Sequence, residues 1–351
     1  NSSNIYFQLD WIKYLLDIKT LQKFDSKSMY KVYDIWPEIA REYFEKDLGS
    51  IDFGEVSHVV FVGMGGSGAF GDIFSAILSK TEIHIDVVKG YLLPKTVNSE
   101  SLVIVTSISG NTEESITVLK EAIKTNAKIV AFSDGGKIQT ICEENKINHK
   151  KIPMVHSPRA SFPTFLFSML HILESFLPIS KNDIVDSIKE LEKEKEKISS
   201  NNLSIENPAL NLATSMSGIP LIYYPWGLQS AAIRFKNSLQ ENSKMHAITE
   251  DVIEACHNGI VSWDKPSIVK PVLIQGTDDY IKTKERWKIL KEFFDEKEIS
   301  YDEVISVKGS ILSKLINLIY LLDYSSIYRS VLSEIDPSPV TPIDYIKKKL
   351  N

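Results

Sequence analysis

The sequence predicts an α/β protein of two doubly wound domains, each a central parallel sheet flanked by helices. Two observations predict it. Short β-rich runs alternate with helical stretches from residue 59 to about 152, and a second series of the same kind fills residues 206–351. The first β-rich run, 59–62, breaks at Gly63 into a glycine-rich turn within VVFVGMGGSGAFGD (residues 59–72). Strand, glycine turn and helix in that order aim backbone N–H groups and a positive helix end at an anion.

Taken in order, residues 1–55 read as a helical, aromatic-rich arm (Tyr14, Tyr30, Tyr33, Trp36, Tyr43) with no strand pattern, expected to pack over a domain. Residues 56–180 form the first α/β domain. Its predicted strands are 59–62, 83–88, 102–106, 128–132 and 149–152, with helices from about Ala69, over 113–122 and over the apolar stretch 162–177. Residues 181–205 are a connector. Within it KELEKEKEK (189–197) sets opposite charges at i,i+3, as in Glu190–Lys193 and Glu194–Lys197, and predicts a solvated helix. Asn201-Asn202 and Asn207-Pro208 break that pattern. The second domain, 206–351, has predicted strands at 219–224, 271–275 and 301–306, helices over 228–242, 280–297 and 310–332, and a helical tail. The two halves suggest a duplication, although the second has no counterpart of GMGGSG.

Composition bounds the function. At 351 residues, 43% hydrophobic and 25% charged, the chain can bury two sizeable cores. Its net charge of −6 argues against a sequence-independent nucleic-acid partner, which needs a basic excess. Cys142 and Cys256 are far apart, in no metal-type spacing, and fit a reducing compartment. No apolar run approaches the ~20 residues of a membrane span. The start, NSSNIYFQLDW, lacks the pattern of a signal peptide. The expectation is a cytoplasmic protein with no membrane partner.

Sheets of this kind bind ligands just beyond the carboxyl ends of their strands. Gly63, Gly65 and Gly68 match the dinucleotide pattern G-x-G-x-x-G. The acidic residue that should close the next strand is missing, because 83–88 ends in Lys89-Gly90 with Asp86 inside the run. Gly66 and Ser67 instead offer a backbone approach and a hydroxyl suited to a small phosphate ester. The third strand ends in Ser107-Ile108-Ser109-Gly110-Asn111-Thr112. Ser107, Ser109 and Thr112 are either three donors for a phosphate or, more simply, one helix cap and its neighbours. Arg159, in Ser157-Pro158-Arg159-Ala160 ahead of an apolar helix, stands where a cation is unfavourable unless it faces an anion. Glu241 closes the helix 228–242, and His257 follows in EACHNG (254–259). A carboxylate base and an imidazole set against hydroxyl-rich loops are parts for moving a proton beside a carbonyl. The seven histidines show no ligand spacing such as H-x-x-x-H, so no metal or other cofactor is expected.

GMGGSG…GD (63–72), SISGNTEES (107–115), SPRA (157–160), RFKNSLQENSK (234–244), HNGIVSW (257–263) and DPSPVTPIDYIKKKL (336–350) together resemble one family. It is the archaeal-type bifunctional phosphoglucose/phosphomannose isomerases, built from two sugar isomerase (SIS) domains. The resemblance runs in order from about residue 55 to the end, and departs mildly at Phe70, where the family tends to a smaller residue. It implies two SIS-type domains and an aldose-ketose isomerase acting on glucose 6-phosphate and mannose 6-phosphate through a cis-enediolate. It implies that Gly66, Ser67, Ser107, Ser109 and Thr112 hold the phosphate. Glu241 shuttles the proton between C2 and C1, Arg159 steadies the enediolate, His257 opens the ring, and Lys347 helps at the ring oxygen. It implies a homodimer whose site takes His257 from the neighbouring subunit, a role compatible with the Glu-rich, exposed loop predicted ahead of it (Glu250, Asp251, Glu254). The competing expectation is a non-catalytic sugar-phosphate-binding SIS protein, which has no use for Glu241, His257 and Lys347 together.

Overall fold

The computed structural model describes residues 16–350. Tyr14 and the rest of the first fifteen residues of the expected arm lie outside the described residues. The chain forms two compact units. The first comprises Ile35–Glu190 with Gly309–Leu315, and the second Leu191–Lys308 with the flanking terminal segments up to Asp34 and from Ile316.

In the first unit the described residues form a sheet of five parallel strands in the order β2-β1-β3-β4-β5. The strands are β1 (His58–Val62), β2 (His84–Val88), β3 (Ser101–Thr106), β4 (Lys128–Ser133) and β5 (Asn148–Lys151). Every residue of β1 and β3 is buried, as expected where helices cover both faces of a parallel sheet. On one face Val60, Val62, Val103 and Val105 pack with Ile116, Leu119 and Ile138. Elsewhere in the unit Phe61 stacks on Phe74, and Phe70 lies 5.3 Å from Phe162, nearly parallel to it, and stacks on Phe165. The larger residue at position 70 is thereby accommodated by an aromatic layer, where full burial of a phenyl ring stabilises by about 1.5–3 kcal/mol. Trp36, at the start of the helix Trp36–Glu45, also stacks on Phe162.

Several boundaries differ from the sequence expectation. The first helix after β1 is Gly65–Leu78, starting inside the glycine turn rather than at Ala69. The apolar helix ends at Ile172 instead of 177. The charge-dense stretch belongs to a helix, Lys181–Ile198, that is not simply solvated: Ile184, Ile188, Leu191 and Glu194 are buried. Their i, i+4, i+7 spacing is an apolar stripe that the surrounding charges obscure. Within the second unit Glu194 accepts from Asn317 Nδ2 (3.2 Å) and Lys197 Nζ (3.0 Å), which is how a carboxylate survives burial there.

The second unit's sheet, again parallel, has the order β7-β6-β8-β9 among the described residues. Its strands are β6 (Ile219–Tyr224), β7 (Ile248–Asp251), β8 (Val269–Gln275) and β9 (Asp302–Ile305). β7 was not anticipated. Its sequence, ITED, is short, acidic and at the sheet edge, so it carries no apolar run. The other half of the arm packs here: on the long helix Ile311–Leu332, Tyr320 donates to the Tyr33 carbonyl (2.7 Å) and Tyr324 to Asp34 Oδ1 (2.6 Å). No helix among the described residues is long and apolar enough to cross a membrane.

Candidate active site

In the first sheet β2 lies on one side of β1 and β3 on the other. The connections after β1 and β3 therefore part, opening a crevice at their carboxyl ends. The glycine turn and the serine loop meet there: Ile108 N–H donates to Ser67 Oγ at 3.3 Å. Ser107 Oγ and Thr112 Oγ1 share a hydrogen bond of 2.9 Å. Thr112 stands at the N-cap of the helix Glu113–Ile123, yet its side chain makes no capping bond. Nor does a side chain cap the helix Gly65–Leu78. The simple cap reading of Thr112 therefore fails, and two helix N-termini face the crevice with N–H groups that no side chain satisfies. Ser109 is exposed at the tip of its loop. Gly110 has φ +68°, and a side-chain carbon there would collide with the Gly135 carbonyl, so the loop lies flat against the end of β4 only with glycine at this place.

Arg159 is buried (6% exposed) in the turn before the helix Phe162–Ile172. The turn is fixed by Ser161, whose Oγ accepts from Val155 N–H (2.8 Å) and is within 2.8 Å of the Ser157 carbonyl. A side-chain carbon on Gly66 would sit 3.9 Å from Arg159 Cα, so Arg159 borders the glycine turn. Gly66, Ser67, Ser107, Ser109, Thr112 and Arg159 thus gather at the carboxyl ends of one sheet's strands. The place where a dinucleotide would need an acid holds Lys89, ion-paired with Asp72 at 2.5 Å. Burial pushes the Asp72 carboxyl up, and Lys89 pulls it back.

Glu241, His257 and Lys347 all belong to the second unit. Glu241 is half-buried in the last turn of the helix Gln229–Asn242. One stripe of that helix is fastened to the helix Ile311–Leu332. Arg234 donates through Nε (2.9 Å) and Nη2 (2.6 Å) to Asp323, Ser238 Oγ donates to the same carboxylate (2.6 Å), and Asn242 Nδ2 donates to Ser326 Oγ (2.8 Å). Burial pushes Asp323 up, against the pull of Arg234 and Ser238. Ser243 Oγ adds a bond to the Ser326 carbonyl (2.7 Å). Lys244, with φ +56°, donates to the carbonyls of Glu241 (2.5 Å) and Pro339 (2.8 Å). It ties the end of the Glu241 helix to the segment leading into the helix Thr341–Leu350, where Lys347 is exposed. These fastening residues were missed by sequence reasoning, although the i,i+4 spacing of Arg234, Ser238 and Asn242 was a usable signal.

His257 is exposed between the short helix Val252–Ala255 and the 3-10 turn Gly259–Asp264. The stretch before it is not the loop expected. Glu250 and Asp251 close β7, and Asp251 caps the short helix by accepting from Ile253 N–H (2.8 Å) and Glu254 N–H (3.2 Å). Glu241 precedes β7 and His257 follows it. The strand β7 and the short helix Val252–Ala255 separate the two along the chain.

The family model described as SIS domain matches residues 53–174, and that described as bacterial phospho-glucose isomerase C-terminal SIS domain matches 205–350. A bifunctional phosphoglucose/phosphomannose isomerase of Caldicellulosiruptor bescii is 30% identical over 91% of this chain and 97% of its own length. The protein of the same description from Aquifex aeolicus is 28% identical over 92% and 99%. Among solved structures, a hypothetical protein of Thermus thermophilus superposes with a TM-score of 0.71 at 14% identity, covering 95% of this chain and 92% of that one.

Proposed function

Because the chain belongs to the bifunctional phosphoglucose/phosphomannose isomerase family, we propose that it interconverts glucose 6-phosphate, and mannose 6-phosphate, with fructose 6-phosphate. The observation that carries this reading is the crevice between β1 and β3, where uncapped helix N-termini and the hydroxyls of Ser67, Ser107 and Thr112 converge without an acidic residue in either loop. A phosphate monoester is the ligand such neutral donors suit.

In this reading Gly66, Ser67, Ser107, Ser109 and Thr112 hold the phosphate. Glu241 takes the proton from C2 of the open-chain aldose and returns it at C1. Charge develops on the O1 and O2 oxygens as the proton leaves, and the planar Arg159 guanidinium is the fixed cation that stabilises it. His257 opens the ring and Lys347 assists at the ring oxygen. The two-domain division at 56–180 and 206–351 belongs to the same proposal and is supported by the spans of the two family matches. So does the cytoplasmic location, supported by two free cysteines.

Solvent isotope exchange tests the activity. Fructose 6-phosphate in D2O should acquire deuterium at C1, because a single base exchanges with water between abstraction and return. No incorporation and no product would leave a sugar-phosphate-binding protein instead.

We also infer a homodimer with shared sites, supported by the exposure of His257 beyond β7. Mixing Glu241→Gln with His257→Ala should restore activity in hybrid dimers to about a quarter of wild type at equal mixing, since half the dimers are hybrids with one intact site of two. No recovery despite subunit exchange means each site is built within one chain.

A further inference from the structure

A second cluster of reactive side chains lies in the first unit, at the amino ends of β1 and β2, away from the phosphate crevice at the strands' carboxyl ends. In the register of β1 and β2, His58 pairs with His84, and Asp86 stands two residues further along β2, so all three side chains share one face. His58 Nε2 is 2.9 Å from Asp86 Oδ2, and His84 Nε2 is 3.7 Å from the same oxygen. The two imidazole rings are 5.0 Å apart, and the three ligand atoms all lie within 4.8 Å of one another. We propose that His58, His84 and Asp86 form a binding site for a divalent transition-metal ion of the zinc type, apart from the catalytic chemistry.

A buried histidine satisfied by an aspartate would explain His58 alone. It does not account for a second imidazole nitrogen standing 3.7 Å from the same oxygen, too far for a hydrogen bond. Ligand atoms around a tetrahedral ion with bonds of about 2.1 Å lie about 3.4 Å apart. The two nitrogen–oxygen separations bracket that figure, so small rotations admit an ion. Two imidazoles and a carboxylate are a borderline donor set that suits zinc rather than calcium or magnesium. His58 also has the outer partner a metal ligand requires: its Nδ1 is 3.0 Å from Ser101 Oγ, which is held in place by Asn98 N–H (3.0 Å). The serine hydroxyl can donate to Nδ1 when Nε2–H binds Asp86, or accept from Nδ1–H when Nε2 carries the ion. His84 is two-thirds exposed, which leaves a fourth position to water. An ion here would fasten edge strand β2 to β1. The five residues of β1 span about 16 Å between this cluster and the glycine turn, too far for the ion to touch a substrate phosphate there.

Sequence spacing does not display this site, since residues 58 and 84 meet only through strand pairing. The test uses untagged full-length protein stripped with chelator, then titrated with Co2+ and Zn2+. One equivalent of Co2+ should bind with the visible absorption of a tetrahedral site and be displaced by Zn2+, and Zn2+ should raise the thermal unfolding midpoint. His84→Ala and Asp86→Asn should each weaken binding by about 100-fold or more, beyond the 10–100-fold expected when Ser101→Ala removes only the outer partner. Isomerase turnover should be unchanged by stripping and by His84→Ala. No saturable binding, or binding that survives both ligand variants, overturns the site. Turnover that falls in step with metal removal overturns its separation from the chemistry.

Discussion

The two sheets open the same kind of crevice, one between β1 and β3 and one between β6 and β8, yet only one is fit for an anion. Both lie where connections part at the carboxyl ends of parallel strands and helices begin. In the first, residues 63–68 and 107–112 contain no acidic residue. In the second, the chain supplies its own anion. Asp279 Oδ2 accepts from Gly276 N–H and from Trp287 Nε1, each at 3.0 Å, and a side chain on Gly276 would collide with the same carboxylate. Thr277 N–H donates to Ser306 Oγ (3.1 Å), and its hydroxyl donates to the Ser306 carbonyl. The donors that remain available in the first crevice are already engaged in the second. A duplicated architecture thus divides its labour through side-chain chemistry: the first unit holds the proposed phosphate donors and the second holds Glu241, the proposed base.

That division is most exposed to test at the base. Glu241→Gln should lower kcat by about 10²–10⁴-fold while leaving the affinity for a phosphate inhibitor nearly intact. Steady-state kinetics with an inhibition constant measures both, and a matched loss of affinity would place Glu241 in binding. Next comes a charge put into the first crevice to imitate the second. Ser67→Asp sets a carboxylate beside the phosphate position, where like charges about 4 Å apart repel by a few kcal/mol at an effective dielectric near 20. KM should rise by about 100-fold with a smaller change in kcat. An unchanged KM removes Ser67, and the crevice with it, from phosphate binding.

Much of this arrangement was legible in the sequence because it is local. Buried parallel strands such as β1 and β3 are unbroken apolar runs, and the glycine and serine loops are short motifs. The rest depends on contacts between distant residues. Glycine is a poor helix former, so the sequence alone starts this helix near Ala69, whereas its first turn, from Gly65, is built from the N–H groups that line the crevice. Arg234 and Asp323 are 89 residues apart, and although Arg234, Ser238 and Asn242 recur at i,i+4 along their helix, nothing local names Asp323 as their partner. Glu241 and His257 carry no sign of chemistry taken singly; their company, a carboxylate and an imidazole set against hydroxyl-rich loops, points to proton transfer, and only the family resemblance gives each its role. His58, His84 and Asp86 meet only through strand register.

Lys244 gives a smaller, sharper test of how the second unit holds its base. Its ammonium joins the Glu241 carbonyl to that of Pro339, and it does so from the position where the helix ends. Lys244→Ala should lower kcat by about tenfold, the cost of a base displaced by a fraction of an ångström. Inhibitor affinity should stay constant, because the proposed phosphate donors belong to the other unit. A purely structural role would lower the unfolding midpoint without separating kcat from affinity in this way.

The smallest effect comes from emptying the second crevice. Asp279→Ser removes the internal carboxylate from Gly276 N–H and Trp287 Nε1, and leaves a hydroxyl like those of the first crevice. Since Asp279 is only half-buried, water replaces part of what is lost, and the destabilisation should be about 1 kcal/mol. Freed N–H donors near the start of the helix Ile281–Glu296 should then take inorganic phosphate weakly, with Kd in the millimolar range (about −4 kcal/mol). Amide chemical shifts of Gly276 and Thr277, followed against phosphate in wild type and variant, read this directly. Isomerase turnover should not move, as Asp279 has no part in the proposed chemistry. A variant whose amides ignore phosphate would show that the carboxylate is not what keeps anions out, and that the two crevices differ for another reason.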